Sequence, residues 1–331
     1  MILVIGSNSF SGSWMCKHLL DHGADVLGMG RRFDLPCNAL YPAFWSKQYR
    51  SNFRYERLDL NSDEDCARVP AMLKKYGVTE VINFAAQGMV AESWVRPVDW
   101  YRTNVLGQVS LLEKLRQHET LNKYVHVSTP EVYGSTDEWI FEDFDFNPTT
   151  PYAISRAAFD MHLKAYEKAY GFPVCWTRAA NVYGPGQQLY RIVPRAFLSA
   201  FTGVQMHLDG GGVSERSFIH ISDVCSATKL IMESAQVGET FHISTDRLIS
   251  IRNLVEKIFE MKGADFNQLV LVGEERLGKD AAYKLDSTKL RIQTGWKDRY
   301  GLNEGLSDVA SWVEHNLSVI GPLNWSYEHR L

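Results

Sequence analysis

Paired cysteines, a basic stripe and long apolar runs are all missing from this 331-residue chain, and each absence closes a class of function. The five cysteines, Cys16, Cys37, Cys66, Cys175 and Cys225, lie far apart with no Cys-x-x-Cys pair. Such a set reads as reduced core thiols in a cytoplasmic protein, without a disulfide frame or a metal site. The net charge is −4, from 35 Lys and Arg against 39 Asp and Glu, so no concentrated positive face argues for nucleic acid. No apolar run is long enough to span a bilayer, and Met1 leads straight into an apolar stretch with no room for a signal peptide. Internal repeats and low-complexity tracts are absent as well. What is present is 45% hydrophobic and 22% charged residues, in a chain long enough for a full core and two lobes.

Short apolar runs alternate with helical patterns along the first half. Residues 2–5, 24–29, 55–60, 80–85, 124–129 and 174–177 read as strands, with a helix over 13–21 closed by Gly23. That rhythm implies right-handed crossovers and an α/β, doubly wound parallel sheet of the Rossmann kind. After residue 177 the rhythm breaks into turn clusters at 181–186 and 209–212, then helical patterns around 223–235, 250–262 and 304–316. Residues 1–180 and 214–249 are assigned to the dinucleotide-binding domain. Residues 181–213 and 250–331 are assigned to a smaller, mixed substrate lobe. A ligand is expected between them, at the carboxyl ends of the strands.

The turn from the first strand into the first helix reads Gly6-Ser7-Asn8-Ser9-Phe10-Ser11-Gly12. Backbone N–H groups there can hold a pyrophosphate, with Gly6, Asn8, Ser9, Phe10 and Gly12 as candidate contacts; alone, the same residues would form only a turn. At the end of the second strand, where an NAD site has an acid, the chain has Gly30 followed by Arg31 and Arg32. Two guanidinium groups in place of a carboxylate favour the 2′-phosphate of NADP, with NAD the second choice, or else are solvated surface charge. Asp59 and Leu60 close the third strand; Asp59 either accepts from an adenine amino group or caps the turn at Asn61.

The chemistry is concentrated in two segments. His126-Val127-Ser128-Thr129-Pro130-Glu131-Val132-Tyr133-Gly134 is a buried strand whose end delivers a hydroxyl, Thr129, and a carboxylate, Glu131. Pro151-Tyr152-Ala153-Ile154-Ser155-Arg156 opens a helix with Tyr152 and Arg156 on one face. A phenol beside a fixed cation can act as a base, and a nearby carboxylate adds a second proton-transfer group. His126 reads as a satisfied core histidine.

Together these residues resemble the extended short-chain dehydrogenase/reductase superfamily, specifically its NAD(P)-dependent nucleotide-sugar epimerases and dehydratases. Asn83-Phe84-Ala85-Ala86-Gln87 is similar to that family's fourth-strand motif under the cofactor, and Thr103-Asn104 to its following helix. The resemblance implies cofactor contacts from Ala85, Ala86, Gln87, Asn104, Tyr152 and Arg156. Asn181, Arg191, Arg216, Arg276 and Lys279 are the candidates for holding a nucleotide sugar, the expected partner. A homodimer paired through two helices is implied too. Glu131 is most like the glutamate of dTDP-glucose and GDP-mannose 4,6-dehydratases, although Pro130 stands where an aspartic acid would supply a proton. Arg156 replaces the family's lysine. His242 and Lys279 depart from the dTDP-glucose pattern.

On that resemblance Tyr152 removes the proton of the sugar 4-hydroxyl, Thr129 orients that oxygen and Glu131 takes the C5 proton. Water then leaves from C6, and return of the C4 hydride to C6 with a proton to C5 gives a 4-keto-6-deoxy sugar; the acid for water loss is supplied by Glu131, by Tyr133 or by water. A 4-epimerase, a decarboxylase using Arg191, and a silent NADP-binding scaffold are the competing readings.

Overall fold

The computed structural model describes residues 1–32, 51–136, 138–275 and 282–329. At its centre, seven strands form one parallel sheet in which Ile2–Ile5 lies between Val26–Gly30 and Glu80–Asn83. Phe53–Arg57 forms one edge; Lys123–Val127, Val174–Ala179 and Thr240–Ile243 extend the other. Strand order therefore reverses between the first and fourth strands, and the crevice at their carboxyl ends is the ligand position of such sheets.

Both faces of the sheet are covered, as its continuous apolar strands require. Ile2 and Val4 point into one core with Leu19, Val224 and Ile231, while Leu3 and Ile5 point into another with Val69, Leu111 and Phe159. Each such fully buried side chain contributes about 1.5–3 kcal/mol. A third core, built from Phe197, Leu208, Leu254, Ile258, Val309 and Val313, lies in the C-terminal part. There the strand pairings are short and mixed: Asn181–Tyr183 with Phe218–His220 and Met206–Asp209 with Val270–Gly273 are parallel, Glu215–Arg216 with Ile249–Ser250 antiparallel.

Most expected elements are present with shifted ends. The first helix starts at Phe10, because Ser9 accepts from the Gly12 N–H and caps it. The third strand is Phe53–Arg57 rather than 55–60; Leu58 and Leu60 continue the apolar pattern into the turn and are buried there. Among the described residues no helix is long and apolar enough to cross a membrane, and no group of three or more metal-ligating side chains is present. Cys16, Cys66, Cys175 and Cys225 are free and buried. Cys37, Arg276 and Lys279 lie outside the described residues.

Candidate active site

The loops leaving the first and fourth strands touch. A Cβ on Gly6, whose φ is +78°, would come 2.9 Å from the Ala85 nitrogen, and one on Gly12 would come 2.1 Å from the Gly6 oxygen. The tight turn and close packing therefore require glycine, leaving the start of helix Phe10–Asp21 open to a pyrophosphate. Asn8 donates to the Arg32 carbonyl at 2.9 Å and to Tyr55 Oη at 3.3 Å, which ties this loop to the end of the second strand. A Cβ on Gly30 would lie 2.2 Å from Asn8 Oδ1, so a side chain at position 30 requires the Asn8 amide to turn aside. Arg31 and Arg32 follow, both exposed. Asp59 Oδ1 accepts from the Asn61 N–H at 3.0 Å and caps that turn.

The exit of the fourth strand is clamped by amides. Asn83 Oδ1 accepts from Ala85 N–H at 3.0 Å, and Gln108 donates to the Ala85 carbonyl. Asn104 is buried in the π-helical stretch Arg102–Gly107. It accepts from the Gln87 N–H at 2.7 Å and donates to the Gln87 carbonyl and Ser155 Oγ, each at 3.0 Å. Its amide is thus committed to protein partners, and it acts on the cleft by fixing Gln87 to the helix Pro151–Tyr170. Met89, two residues on, has a φ of +70°, a strained conformation of the kind concentrated at functional sites.

Thr129, Glu131, Tyr152 and Arg156 converge. Thr129 begins the 3₁₀ turn Pro130–Tyr133 and its hydroxyl accepts from the Glu131 N–H at 3.4 Å. Thr150 caps the helix bearing Tyr152 and Arg156, and Ser93 accepts from the Tyr152 N–H at 3.2 Å. Burial pushes the Tyr152 phenol above its ordinary range; Arg156 pulls it down, Glu131 pushes it up, and a hydrogen bond with Thr129 and the charge of Arg191 pull it down. The net direction is upward. In the protein alone, desolvation outweighs the pull of the guanidinium on this phenol. Arg156 itself is buried, donates to the Val127 carbonyl and lies 3.4 Å from His126 Nε2. Burial holds His126 well below the ordinary histidine range.

Behind this cluster lies a buried network that the sequence reading missed. Asp160 and Arg178, both wholly buried, pair at 3.1 Å, and Ser128 donates to Asp160 at 2.7 Å. Arg178 also donates to Tyr133 Oη and to the Asp143 carbonyl at 2.9 Å. Tyr133 Oη lies 2.9 Å from His242 Nε2, whose other ring nitrogen is 3.1 Å from the Asp286 carbonyl. A neutral imidazole satisfies the chain: Nδ1–H donates to Asp286 and Nε2 accepts from Tyr133. The Tyr133 hydroxyl is occupied and not available as the acid for C6, and His242 is a buried core group.

The expected substrate residues fall in two places. Asn181 accepts from Tyr283, and Arg216 sits over the Tyr283 ring at 4.6 Å, so Tyr283, not singled out in the sequence, joins these two. Arg191 stands beside Gly88, where a Cβ would be 3.7 Å from its Nη2, and at the start of helix Ile192–Thr202.

The family model described as GDP-mannose 4,6 dehydratase matches residues 3–309. A dTDP-glucose 4,6-dehydratase of Streptomyces niveus is 32% identical over 82% of this chain and 79% of that protein. A trifunctional UDP-glucose 4,6-dehydratase/UDP-4-keto-6-deoxy-D-glucose 3,5-epimerase/UDP-4-keto-L-rhamnose-reductase of Arabidopsis thaliana is 29% identical over 95% of this chain; the chain spans about half of its length, 47%. Among solved structures, a double mutant of the dTDP-glucose 4,6-dehydratase of Streptomyces venezuelae with NAD bound gives a TM-score of 0.90 at 28% identity, covering 98% of this chain and 100% of that one. A UDP-glucose 4-epimerase of Thermus thermophilus in complex with NAD gives 0.84 at 26% identity, covering 95% and 98%. With its glycine-lined crevice and its Thr129, Glu131, Tyr152 cluster, the chain belongs to the GDP-mannose 4,6-dehydratase family of the extended short-chain dehydrogenases/reductases.

Proposed function

We propose that this protein is a nucleotide-sugar 4,6-dehydratase that uses NADP, with NAD the second choice. The observation that carries the reading is Glu131 beside the Thr129–Tyr152 pair at the strand ends. Gly6, Asn8, Ser9, Phe10 and Gly12 would hold the pyrophosphate, Arg31 and Arg32 a 2′-phosphate, Asp59 and Leu60 the adenine side. Ala85, Ala86 and Gln87 would lie under the dinucleotide, with Arg156 toward the nicotinamide ribose. When bound, the nicotinamide supplies a hydride acceptor and later donor, and its positive charge opposes the desolvation that raises Tyr152.

The residues of the chain do the rest. Tyr152 takes the proton of the 4-hydroxyl, and Thr129 fixes the direction of that oxygen. The 4-ketone acidifies C5–H, and Glu131 accepts that proton. Because Pro130 has no proton to give and Tyr133 is engaged by Arg178 and His242, Glu131 carries the C5 proton to the departing C6 oxygen, which leaves as water. Asn181, Arg191 and Arg216 would hold the nucleotide sugar, together with Arg276 and Lys279. We further propose a cytoplasmic homodimer, supported by the exposed apolar side chains Leu106, Ile154 and Met161 on adjoining helical stretches.

A decarboxylase needs a cation facing a C6 carboxylate, and Arg191, beside Gly88, is the candidate for that reading. Sugar nucleotides deuterated at C4 separate the readings. A dehydratase delivers deuterium to C6 of the same molecule; a product labelled at C4, or one that has lost carbon dioxide, overturns the proposal.

A further inference from the structure

The last described residues return to the active-site cleft. After the helix Leu302–Ile320 the chain folds back, and Tyr327 and His329 dock on Gln87, more than two hundred residues earlier. Gln87 is the residue that Asn104 fixes to the helix of Tyr152. Its Nε2 donates to Tyr327 Oη at 3.1 Å. His329 Nε2 lies 2.9 Å from Asp99 Oδ2, and its ring stacks on Trp100 at 5.3 Å and 20°.

The donors and acceptors can be counted. His329 Nε2 faces the Asp99 carboxylate, and its Nδ1 lies 3.3 Å from Tyr327 Oη and 3.4 Å from Gln87 Nε2. Tyr327 accepts from Gln87 and retains one proton, free to go to His329 or to a ligand. Around it stand Tyr190, edge-on at 5.2 Å, and the charges of Glu92 and Arg191. Arg191 also acts on Tyr152. Glu92 Oε2 is sheltered from solvent and has no hydrogen-bond partner among the described residues. A buried carboxylate oxygen without a partner is costly unless something donates to it. A phenol donor, a carboxylate acceptor, a guanidinium and an aromatic face together match the hydroxyls and C–H face of a hexose.

We propose that the C-terminal segment forms the sugar-side wall of the active site, with Tyr327 hydrogen-bonding a hexose hydroxyl and the His329–Asp99 pair holding it there. This rests on the nucleotide-sugar reading above and adds a specificity residue to it. The Tyr327→Phe variant keeps the ring and its packing and removes only the hydroxyl.

Binding to UDP-glucose, dTDP-glucose, GDP-mannose and CDP-glucose is measured by calorimetry, and the tightest is compared with its own nucleoside diphosphate. The wild type gains affinity from the sugar. Tyr327→Phe and His329→Ala each lose about tenfold of that gain, close to 1.4 kcal/mol, while affinity for the bare diphosphate stays unchanged and Tyr327→Phe keeps the thermal midpoint. Unchanged sugar affinity in both variants overturns the proposal. Equal losses for diphosphate and sugar nucleotide also overturn it, since the tail would then be a structural strap. Turnover keeps the two readings apart. Loss of the sugar gain without any C6-labelled product in wild type keeps the tail assignment and rejects the dehydratase. C6 label with unchanged variants does the reverse.

Discussion

Replacing Arg178 with methionine tests the buried frame beneath the catalytic turn. Arg178 and Asp160 are both fully enclosed and meet at 3.1 Å. Removing the guanidinium leaves a carboxylate with only Ser128, at 2.7 Å, and a 3.4 Å approach from His126. Breaking such a pair costs about 3–5 kcal/mol, because the remaining charge is neither solvated nor compensated. For 331 residues the entropy of unfolding is about 0.7 kcal/mol/K, so the midpoint falls by roughly 4–7 °C. The Tyr133 hydroxyl loses a donor at the same time, and the turn carrying Glu131 loosens, so turnover falls more than sugar-nucleotide binding. Differential scanning calorimetry of Arg178→Met, Asp160→Leu and the double variant is the assay. The double variant should recover much of the loss, since exchanging a whole buried pair for apolar groups is neutral or stabilising. A single-variant loss below about 1 kcal/mol, or strict additivity in the double, refutes the argument.

Other expectations follow from the same geometry. Glu131→Gln should lower product formation by about 10²–10⁴-fold, the usual range for a general acid–base group, and abolish solvent deuterium incorporation at C5, read by mass spectrometry. Arg31→Ser with Arg32→Ser should weaken NADP by about 10–100-fold, since hydrogen bonds to charged groups contribute about 1.5–3 kcal/mol, and leave NAD unchanged by fluorescence titration. Burial holds His242 down from the ordinary 6.5 to about 3. The unfolded chain therefore binds the extra proton in that window, and stability present above 6.5 is lost as pH falls toward 3, at up to about 1.4 kcal/mol per pH unit. Denaturation midpoints at pH 7 and 5 give the slope, and His242→Gln should flatten it.

The sheet and the chemical cluster were legible because each is written locally. Apolar runs ending in glycine or polar turns mark the strands, and Tyr152 and Arg156 share a helix face by spacing alone. Strand ends were less so: Leu58 and Leu60 carry apolar character past Arg57 because they stay buried in the core on one face of the sheet. The Asp160–Arg178 pair joins a helix to a strand, and neither residue is unusual in its own segment. Tyr327 and His329 carry no signal at all, since what matters is their return to Gln87 and Asp99 across the fold. The state of Tyr152 depends on desolvation, which a charge pattern does not reveal.

The contact between position 30 and Asn8 restricts how cofactor choice can drift. An acid at 30 would collide with Asn8, and shrinking Asn8 first would release its bond to the Arg32 carbonyl. A side chain at 30 therefore moves the Asn8 amide, so a change in which dinucleotide is held reaches the pyrophosphate loop as well as the strand end.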